Sequence, residues 1–585
     1  MNDGTAGLPL PMHDPIRVLF NHVGYAANGP KPILVEARAD VVWVGVELIE
    51  VVTGACVGVI APRFVGGVGG WSRGPWWRVD LEALVRPGRY VVRWRTADCG
   101  SGQSETITVR ADRDQRSMIS DIVFYVKGQR CTGVYDKADA DVPRIDDGTR
   151  HDVHGGWYDA SGDTSKYLSH LSYAAGMNPQ QTPLVVWTLL RCWQLYRSAG
   201  AHPYFLERLR DEATHGADWL VRMQDADGYW NMTVFDRWSK DPFQRRLCTY
   251  RTQAGDLYDG YRCGWRQGGG MAVAALALAS TVDRGGEFDS ARYLKAARSG
   301  FHHLVEHGHR YRTHGASDDP DENVLDDTCA VLAACELALV DADPVVVTEL
   351  ARRVSSLSGR VRRAGDVTWL TADREEHRSF FHASDAGLPI VALSRVAAVF
   401  PARDMAETAG LVAGQLVDAQ LSLGRRLENP FGYPPHWVMA PDTDTHARWF
   451  FPHRNPSGYW WQGENARLAS LAAAAFGVAK REQRTDVGDE AWRWIDWILG
   501  ANPFDVCMLQ GRGRNNPVYA PPFDNAPGGV ANGITAGFDD EADIAFAPDP
   551  WADDPLQNWR WGEQWMPHAA WLMYALALSD TGGAA

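Results

Sequence analysis

The chain has 585 residues, of which 45% are hydrophobic, and a formal net charge of −15. That length exceeds one ordinary domain and can bury a sizeable core. The acidic balance excludes nucleic acid, whose phosphates demand Lys and Arg, and disfavours polyanions, whereas neutral or amino sugars are tolerated. The 25 Trp residues leave aromatic rings to spare, and flat rings that stack on apolar faces suit sugar or peptide platforms. Nine cysteines without a CxxC pair read as reduced structural thiols, not a disulfide framework or zinc knuckle. Residues 1–14 lack the basic and apolar regions of a signal peptide, and no stretch of 18 apolar residues occurs. The expected placement is cytoplasmic, away from membranes, or secreted if a leader has been trimmed.

In chain order, residues 15–111 read as an all-β domain. Runs at 16–20, 33–37, 42–52, 57–60, 77–81, 90–94 and 106–109 are β-branched or aromatic, and turn signals such as Asn28-Gly29, Thr53-Gly54 and Pro87-Gly88 separate them. Short strands at this spacing predict an immunoglobulin-like sandwich. From residue 117 to 582 the pattern becomes helical. Segments are predicted near 118–127, 182–198, 203–224, 269–284, 289–311, 324–341, 344–361, 382–400, 404–422, 461–481, 488–500 and 563–579, an even dozen. Few strands lie between them, which rules against the βα alternation of a TIM barrel. Six helical hairpins closing into an (α/α)6 barrel is the expected architecture, with function on the long loops at one end.

Those loops hold the chemistry. His151-Asp152-Val153-His154-Gly155-Gly156-Trp157-Tyr158-Asp159-Ala160-Ser161-Gly162-Asp163 is not an amphipathic helix. Its glycines permit positive φ and close backbone approach, and Asp159 and Asp163 flank a tight turn. Two carboxylates at one site can divide the work of holding a water and removing its proton. A helix N-cap or a calcium loop uses the same residue types, and at this point both stay open. Loop 225–268 adds Tyr229, Trp230, Trp238, Tyr258, Tyr261 and Trp265. Loop 423–460 adds Tyr433, His436, Trp437, Trp449, His453, Tyr459 and Trp460. Loop 501–562 ends in Asn558-Trp559-Arg560-Trp561-Gly562, followed by Glu563. Aromatics and carboxylates on one class of loop predict a carbohydrate cleft, although a single Trp is more often core than subsite.

The block Gly155-Gly156-Trp157-Tyr158-Asp159 with Asp163 and Lys166-Tyr167 resembles glycoside hydrolase family 9. So do Gln129-Arg130-Cys131 and Asp146-Asp147-Gly148 before it, Gly216-Ala217-Asp218-Trp219-Leu220 with Met223-Gln224, and Asn558 with Glu563, Pro567 and Ala570. The resemblance spans essentially the whole chain. It implies an (α/α)6 barrel behind an immunoglobulin-like domain and inverting hydrolysis of β-linked saccharides. It also implies Asp163 as general base, Asp159 as its partner on the nucleophilic water, and Glu563 as general acid, with Asp163 and Glu563 meeting at one end of the barrel. Candidate substrate contacts from the aromatic-rich loops are Trp157, Tyr158, Trp230, Trp265, His436, Trp437 and Tyr459; the resemblance adds Glu464, weighed against Glu563 as acid.

Two departures shape the reading. Three residues separate the aspartates where the family usually has two. The family's His-His-Arg cluster is also missing, since Asn515-Asn516-Pro517 runs into Val518, with Arg512 and Arg514 as candidate replacements. No cofactor is required. Calcium has a candidate loop at Asp225-Ala226-Asp227-Gly228, and zinc is not expected because Cys131 has no second cysteine nearby. The sequence reading is thus an exo-acting β-glucosidase or exo-β-glucosaminidase on oligosaccharides. The alternatives are an endo-β-1,4-glucanase and, from another class, a non-catalytic sugar-binding protein on a degenerate barrel. Oligomeric state is left open.

Overall fold

The computed structural model describes residues 16–170, 176–250, 255–311, 319, 321–427, 429–439, 445–450, 464–518, 525–536, 544–546, 554 and 558–581. Its first part is two packed sheets. The strands are β1 (Arg17–Leu19), β2 (Tyr25–Ala26), β3 (Pro32–Glu36), β4 (Trp43–Glu50), β5 (Cys56–Val59), β6 (Arg63–Gly66), β7 (Trp76–Asp80), β8 (Gly88–Thr96), β9 (Ser101–Gln103) and β10 (Ile107–Arg110). One sheet has the order β1-β3-β7-β6, the other β2-β10-β8-β4-β5 with β9 on β8. The strands β2, β6 and β9 were not expected from the sequence. They are two to four residues long, too short for a period-2 pattern to show.

Alternation along the first sheet explains how the β region meets the helices. Side chains two apart share a face. Val18, Phe20, Ile33 and Val35 enter the sandwich core, and Leu19, Leu34 and Trp76 between and beside them join the core of the helical region. That sheet is therefore buried on both faces, which accounts for the unbroken apolar run at 33–35. Trp71 extends the contact, with its ring 5.6 Å from Trp449 and 6.3 Å from Trp497. Asn21 Nδ2 and Arg113 Nη1 both donate to the buried Asp496, at 2.7 and 2.6 Å.

Among the described residues twelve longer helices follow: α1 (Gln115–Gly128), α2 (Thr182–Ser198), α3 (Pro203–Met223), α4 (Gly270–Ala279), α5 (Ser290–His307), α6 (Val324–Ala338), α7 (Pro344–Ser358), α8 (Leu388–Val399), α9 (Asp404–Arg426), α10 (Asn465–Glu482), α11 (Thr485–Ile498) and α12 (Met566–Asp580). Their contacts close on themselves. The helices α2, α4, α6, α8, α10 and α12 touch in that cyclic order, and α3, α5, α7, α9, α11 and α1 each lie against one of them. The cyclic set is buried nearly all round; every residue of α4 is buried, and a helix apolar on all faces needs such surroundings. Small side chains in α4 and α10 let these helices approach closely.

The connections differ in length by end. Residues 199–202, 280–289, 339–343, 400–403 and 483–484 link a cyclic helix to its outer partner. Residues 129–181, 224–269, 308–323, 359–387, 427–464 and 499–565 lead from an outer helix to the next inner one, so all six long segments emerge at the same end. The helical segments were legible from periodicity, but one boundary matters for chemistry. α12 begins at Met566, not 563, which leaves Glu563 in extended backbone before the helix.

Candidate functional site

The site is built where loop 129–181 meets the end of loop 499–565. Ala160 and Trp565 form an antiparallel bridge. Ser161 N–H donates to Gln564 O at 2.9 Å, Gln564 N–H returns to Ser161 Oγ at 3.0 Å, and Met566 N–H donates to Asp159 O at 3.1 Å. The pairing ends at Ser161 and Gln564, the neighbours of Gly162 and Glu563. Between the aspartates, Asp163 N–H closes a turn onto Ala160 O at 3.2 Å with Gly162 at φ +82°, a conformation that costs glycine little. Glu563 is held from its other side by Asn532 N–H, which donates to its carbonyl at 2.8 Å.

Each carboxylate has its own surroundings. Asp163 Oδ1 accepts from the backbone N–H groups of Thr164 and Ser165, at 2.6 and 2.9 Å. Asp159 is buried, and Trp565 Nε1 donates to its Oδ1 at 2.9 Å. Burial raises Asp159 well above the usual carboxylate range, and the charges of Asp163 and Glu563 add to that. Burial also raises Asp163, helped by Asp236, but the two amides favour its charged form and hold it to about 6. Of the pair, Asp163 ionises more readily. Tyr125, whose hydroxyl donates to Gln564 O at 2.8 Å, feels both Glu563 and Asp159. Asp159 thus lies within electrostatic reach of both Asp163 and Glu563, a grouping of carboxylates suited to acid–base chemistry.

Glu464 is a different kind of carboxylate. It stands at the N-cap position of α10, without a side-chain capping bond, and is 1% exposed. The Tyr433 hydroxyl donates to it, His436 Nε2 lies 2.9 Å away, and Arg467 Nε 3.3 Å away. Burial would raise it, yet Arg467, His436 and Tyr433 together keep it below its ordinary value. A carboxylate held ionised is a poor proton donor, which counts against Glu464 as an acid. His436, lowered to about 4 by burial and by Arg467, stays neutral. His436 and the half-buried Trp437 line a small cavity of about 100 Å³ with Trp369 and Arg467.

Several expected sugar contacts are corrected. Trp157, Trp230 and Trp265 are core residues. Trp157 Nε1 donates to Glu212 Oε1 at 2.7 Å and Trp230 Nε1 to Leu220 O at 2.9 Å, so indoles offered as platforms are sealed between helices and loop. Gly156, at φ +73°, leaves room for Trp219; a Cβ there would lie 2.7 Å from that ring. Arg512 is bound by Asp121 and Asp114 at the start of α1, and Arg514 by Asp505, which also contacts His22. Both arginines are engaged in ion pairs within the fold. Tyr158 packs on Tyr135, with its hydroxyl accepting from Thr132 N–H at 3.3 Å. Tyr459 lies outside the described residues. At the calcium candidate, Asp225 has Arg144 3.5 Å away, a neighbour that opposes a cation. Among the described residues no group of three or more ligating side chains is poised for a metal.

Core and platform roles for Trp157 give opposite expectations. Trp157→Ala should destabilise the fold by about 3–5 kcal/mol, the cost of emptying a packed indole site, and should leave KM of the residual folded enzyme near the parent value. Thermal denaturation with substrate kinetics checks both.

Sequence reasoning missed Trp565, Thr164, Ser165 and Asp236 as parts of the site. Trp565 lies two residues beyond Glu563. Asp236 carried no local signal and becomes visible only through strand pairing.

The chain spans nearly the full length of its solved structural relatives. A metagenome-derived glycoside hydrolase family 9 endoglucanase superposes with a TM-score of 0.67 at 19% identity, over 97% of this chain and 99% of that one. A Bacteroides ovatus GH9 protein gives 0.65 at 18%, over 97% and 100%. The cellulase Cel9M of C. cellulolyticum, in complex with cellobiose, gives 0.50 at 14%, over 80% and 99%. At these identities the likeness shows the fold alone. No curated protein matches in sequence. The profile of glycosyl hydrolase family 9 matches residues 91–520, most of the chain, including the segment of Asp159 and Asp163 but stopping short of Glu563. With that match, the chain belongs to glycosyl hydrolase family 9 and is a glycoside hydrolase.

Proposed function

We propose that the protein is an inverting, exo-acting glycosidase that releases single residues from β-linked, gluco-configured oligosaccharides, as a β-glucosidase or exo-β-glucosaminidase. The observation that carries the mechanism is the pairing of the Asp159–Asp163 turn with the segment of Glu563 at one end of the helical ring. In this reading the ring is an (α/α)6 barrel spanning 117–582 behind an immunoglobulin-like domain spanning 15–111. Asp163 removes the proton from a water that Asp159 helps to hold, and Glu563 protonates the leaving oxygen. Oligosaccharide binding is supported by the cellobiose held by one structural relative. Exo action is supported by the engagement of Arg512 and Arg514 elsewhere, which leaves the missing His-His-Arg cluster without those substitutes. No cofactor enters the mechanism, and a cytoplasmic location would suit imported oligosaccharides better than crystalline polymer.

A second reading, endo-β-1,4-glucanase, is favoured by the naming of the metagenome-derived relative as an endoglucanase. Incubation with cello- and chitosan-oligosaccharides, followed by chromatography, separates the two. Monomer from the earliest time points supports exo action; mixed intermediate lengths would establish the endo reading.

The pH dependence follows from Asp163. Its ionised form is the active one, so kcat/KM should rise with pH through about 6. A profile of kcat/KM from pH 4 to 9 checks this, and an acid limb near the ordinary aspartate value, about 3.9, would contradict it.

A further inference from the structure

We infer that Asp236 is a positioning residue for the proton-accepting carboxylate, acting through the hydroxyls of Thr164 and Ser165; this rests on the reading of Asp163 as the base. The argument begins with strand register. Lys166–Tyr167 pairs antiparallel with Thr233–Phe235, with Lys166 opposite Val234. Two residues further along, that register sets Thr164 opposite Asp236. Thr164 and Ser165 then serve two carboxylates at once. Their backbone N–H groups donate to Asp163 Oδ1 at 2.6 and 2.9 Å. Their hydroxyls donate to Asp236 Oδ2 and Oδ1, at 2.6 and 3.2 Å. Rotating either residue to release one carboxylate would break its bond to the other.

Asp236 is itself immobilised. It is 0% exposed, and its carbonyl accepts from Ser239 N–H and Oγ, at 3.2 and 2.6 Å. Arg245 Nη1 stands 3.7 Å from its carboxylate and donates to Thr164 O at 2.7 Å. The Arg245 guanidinium is shared with Asp139, which also binds Lys166 Nζ at 2.7 Å. A buried charged carboxylate tolerates its site only when paired and hydrogen-bonded, and here those bonds run into the turn that carries Asp163. The other charged groups around the pair are Asp159 on the same turn, Glu563 from the segment before α12, and Lys240 beyond Asp236. Asp236 thus has a mechanical and an electrostatic hold on Asp163. It fixes the amides that orient Oδ1, and its negative charge opposes ionisation.

Two arms test this. In Asp236→Asn the amide keeps the shape but loses the charge, so the acid limb of kcat/KM should move down by about one pH unit, with kcat at the plateau about tenfold lower. A limb that stays in place or moves up, whatever happens to kcat, overturns the inference, because a merely structural residue would not lower it. Should Asp236→Asn fail to fold, the second arm decides. Thr164→Val should lower kcat about tenfold with KM unchanged, and Thr164→Ser, which keeps the hydroxyl, should restore it; parental turnover by Thr164→Val overturns the inference. Coupling is read from Asp163→Asn combined with Asp236→Asn. If Asp236 acts through Asp163, the double variant is no slower than Asp163→Asn alone, whereas a further loss would place its action elsewhere. Full turnover by Asp163→Asn alone would remove the base assignment itself, a result read without any Asp236 variant.

Discussion

Replacing Asp163 with alanine should abolish turnover on every substrate, activated aryl glycosides included. Leaving-group quality cannot compensate for a water that is not deprotonated. General base assistance is worth about 10²–10⁴-fold, so the residual rate should fall at least that far. Asp159→Ala should be less severe, because Asp159 is the member of the pair that burial and its neighbours keep least ionised; a comparable loss would mean that the two act as a unit. Added azide offers a check that does not depend on rates alone. A small anion in the space left by the Asp163 side chain can attack without being deprotonated, so azide should rescue Asp163→Ala and not Asp159→Ala. Circular dichroism should show both variants folded. Rescue of Asp159→Ala instead would exchange the two roles.

Glu563→Gln should discriminate among leaving groups. Natural saccharides, whose leaving alkoxide needs a proton, should lose about 10²–10⁴-fold in kcat/KM. Activated aryl glycosides, which depart with little protonation, should lose far less. The physical basis is the contrast with Glu464. Glu464 sits beside Arg467 and accepts the Tyr433 hydroxyl, and it is held ionised. Glu563 lies three residues before α12, where the helix N-terminus has little hold on a side chain because that influence falls off within the first turn. Glu464→Gln should therefore weaken activity without the leaving-group dependence, by loosening Tyr433 and His436. If the dependence appears in Glu464→Gln and not in Glu563→Gln, the acid assignment is wrong.

The two experiments together separate function from scaffold. Losses tied to leaving group or rescued by an anion report on the reacting bond. Losses without either signature report on packing, as expected for Trp157, Trp230 and Trp265.

The sequence by itself determined the order of the parts. Alternating apolar residues before 111 and 3.6-residue periodicity after 117 specify strands and then twelve helices, because each element must present one face to a core. The Gly155–Asp163 block was legible as a tight turn because its glycines and aspartates suit one, and its family resemblance singled it out from a cap or a calcium loop. What the sequence could not decide was which aromatics face water. A Trp in a glycine-rich loop has the same local signature whether it stacks on a sugar or fills the space between two helices; Gly156 and Gly216 admit Trp219 and Trp157 at distances only the folded chain defines. Arg512 and Arg514 likewise looked free in sequence because their acids, Asp121 and Asp505, come from α1 and from a neighbouring turn. The tertiary structure alone also placed Asp236 beside the Asp159–Asp163 turn. Strand pairing brings it 72 residues back along the chain to Thr164, and no local pattern encodes a partner so distant.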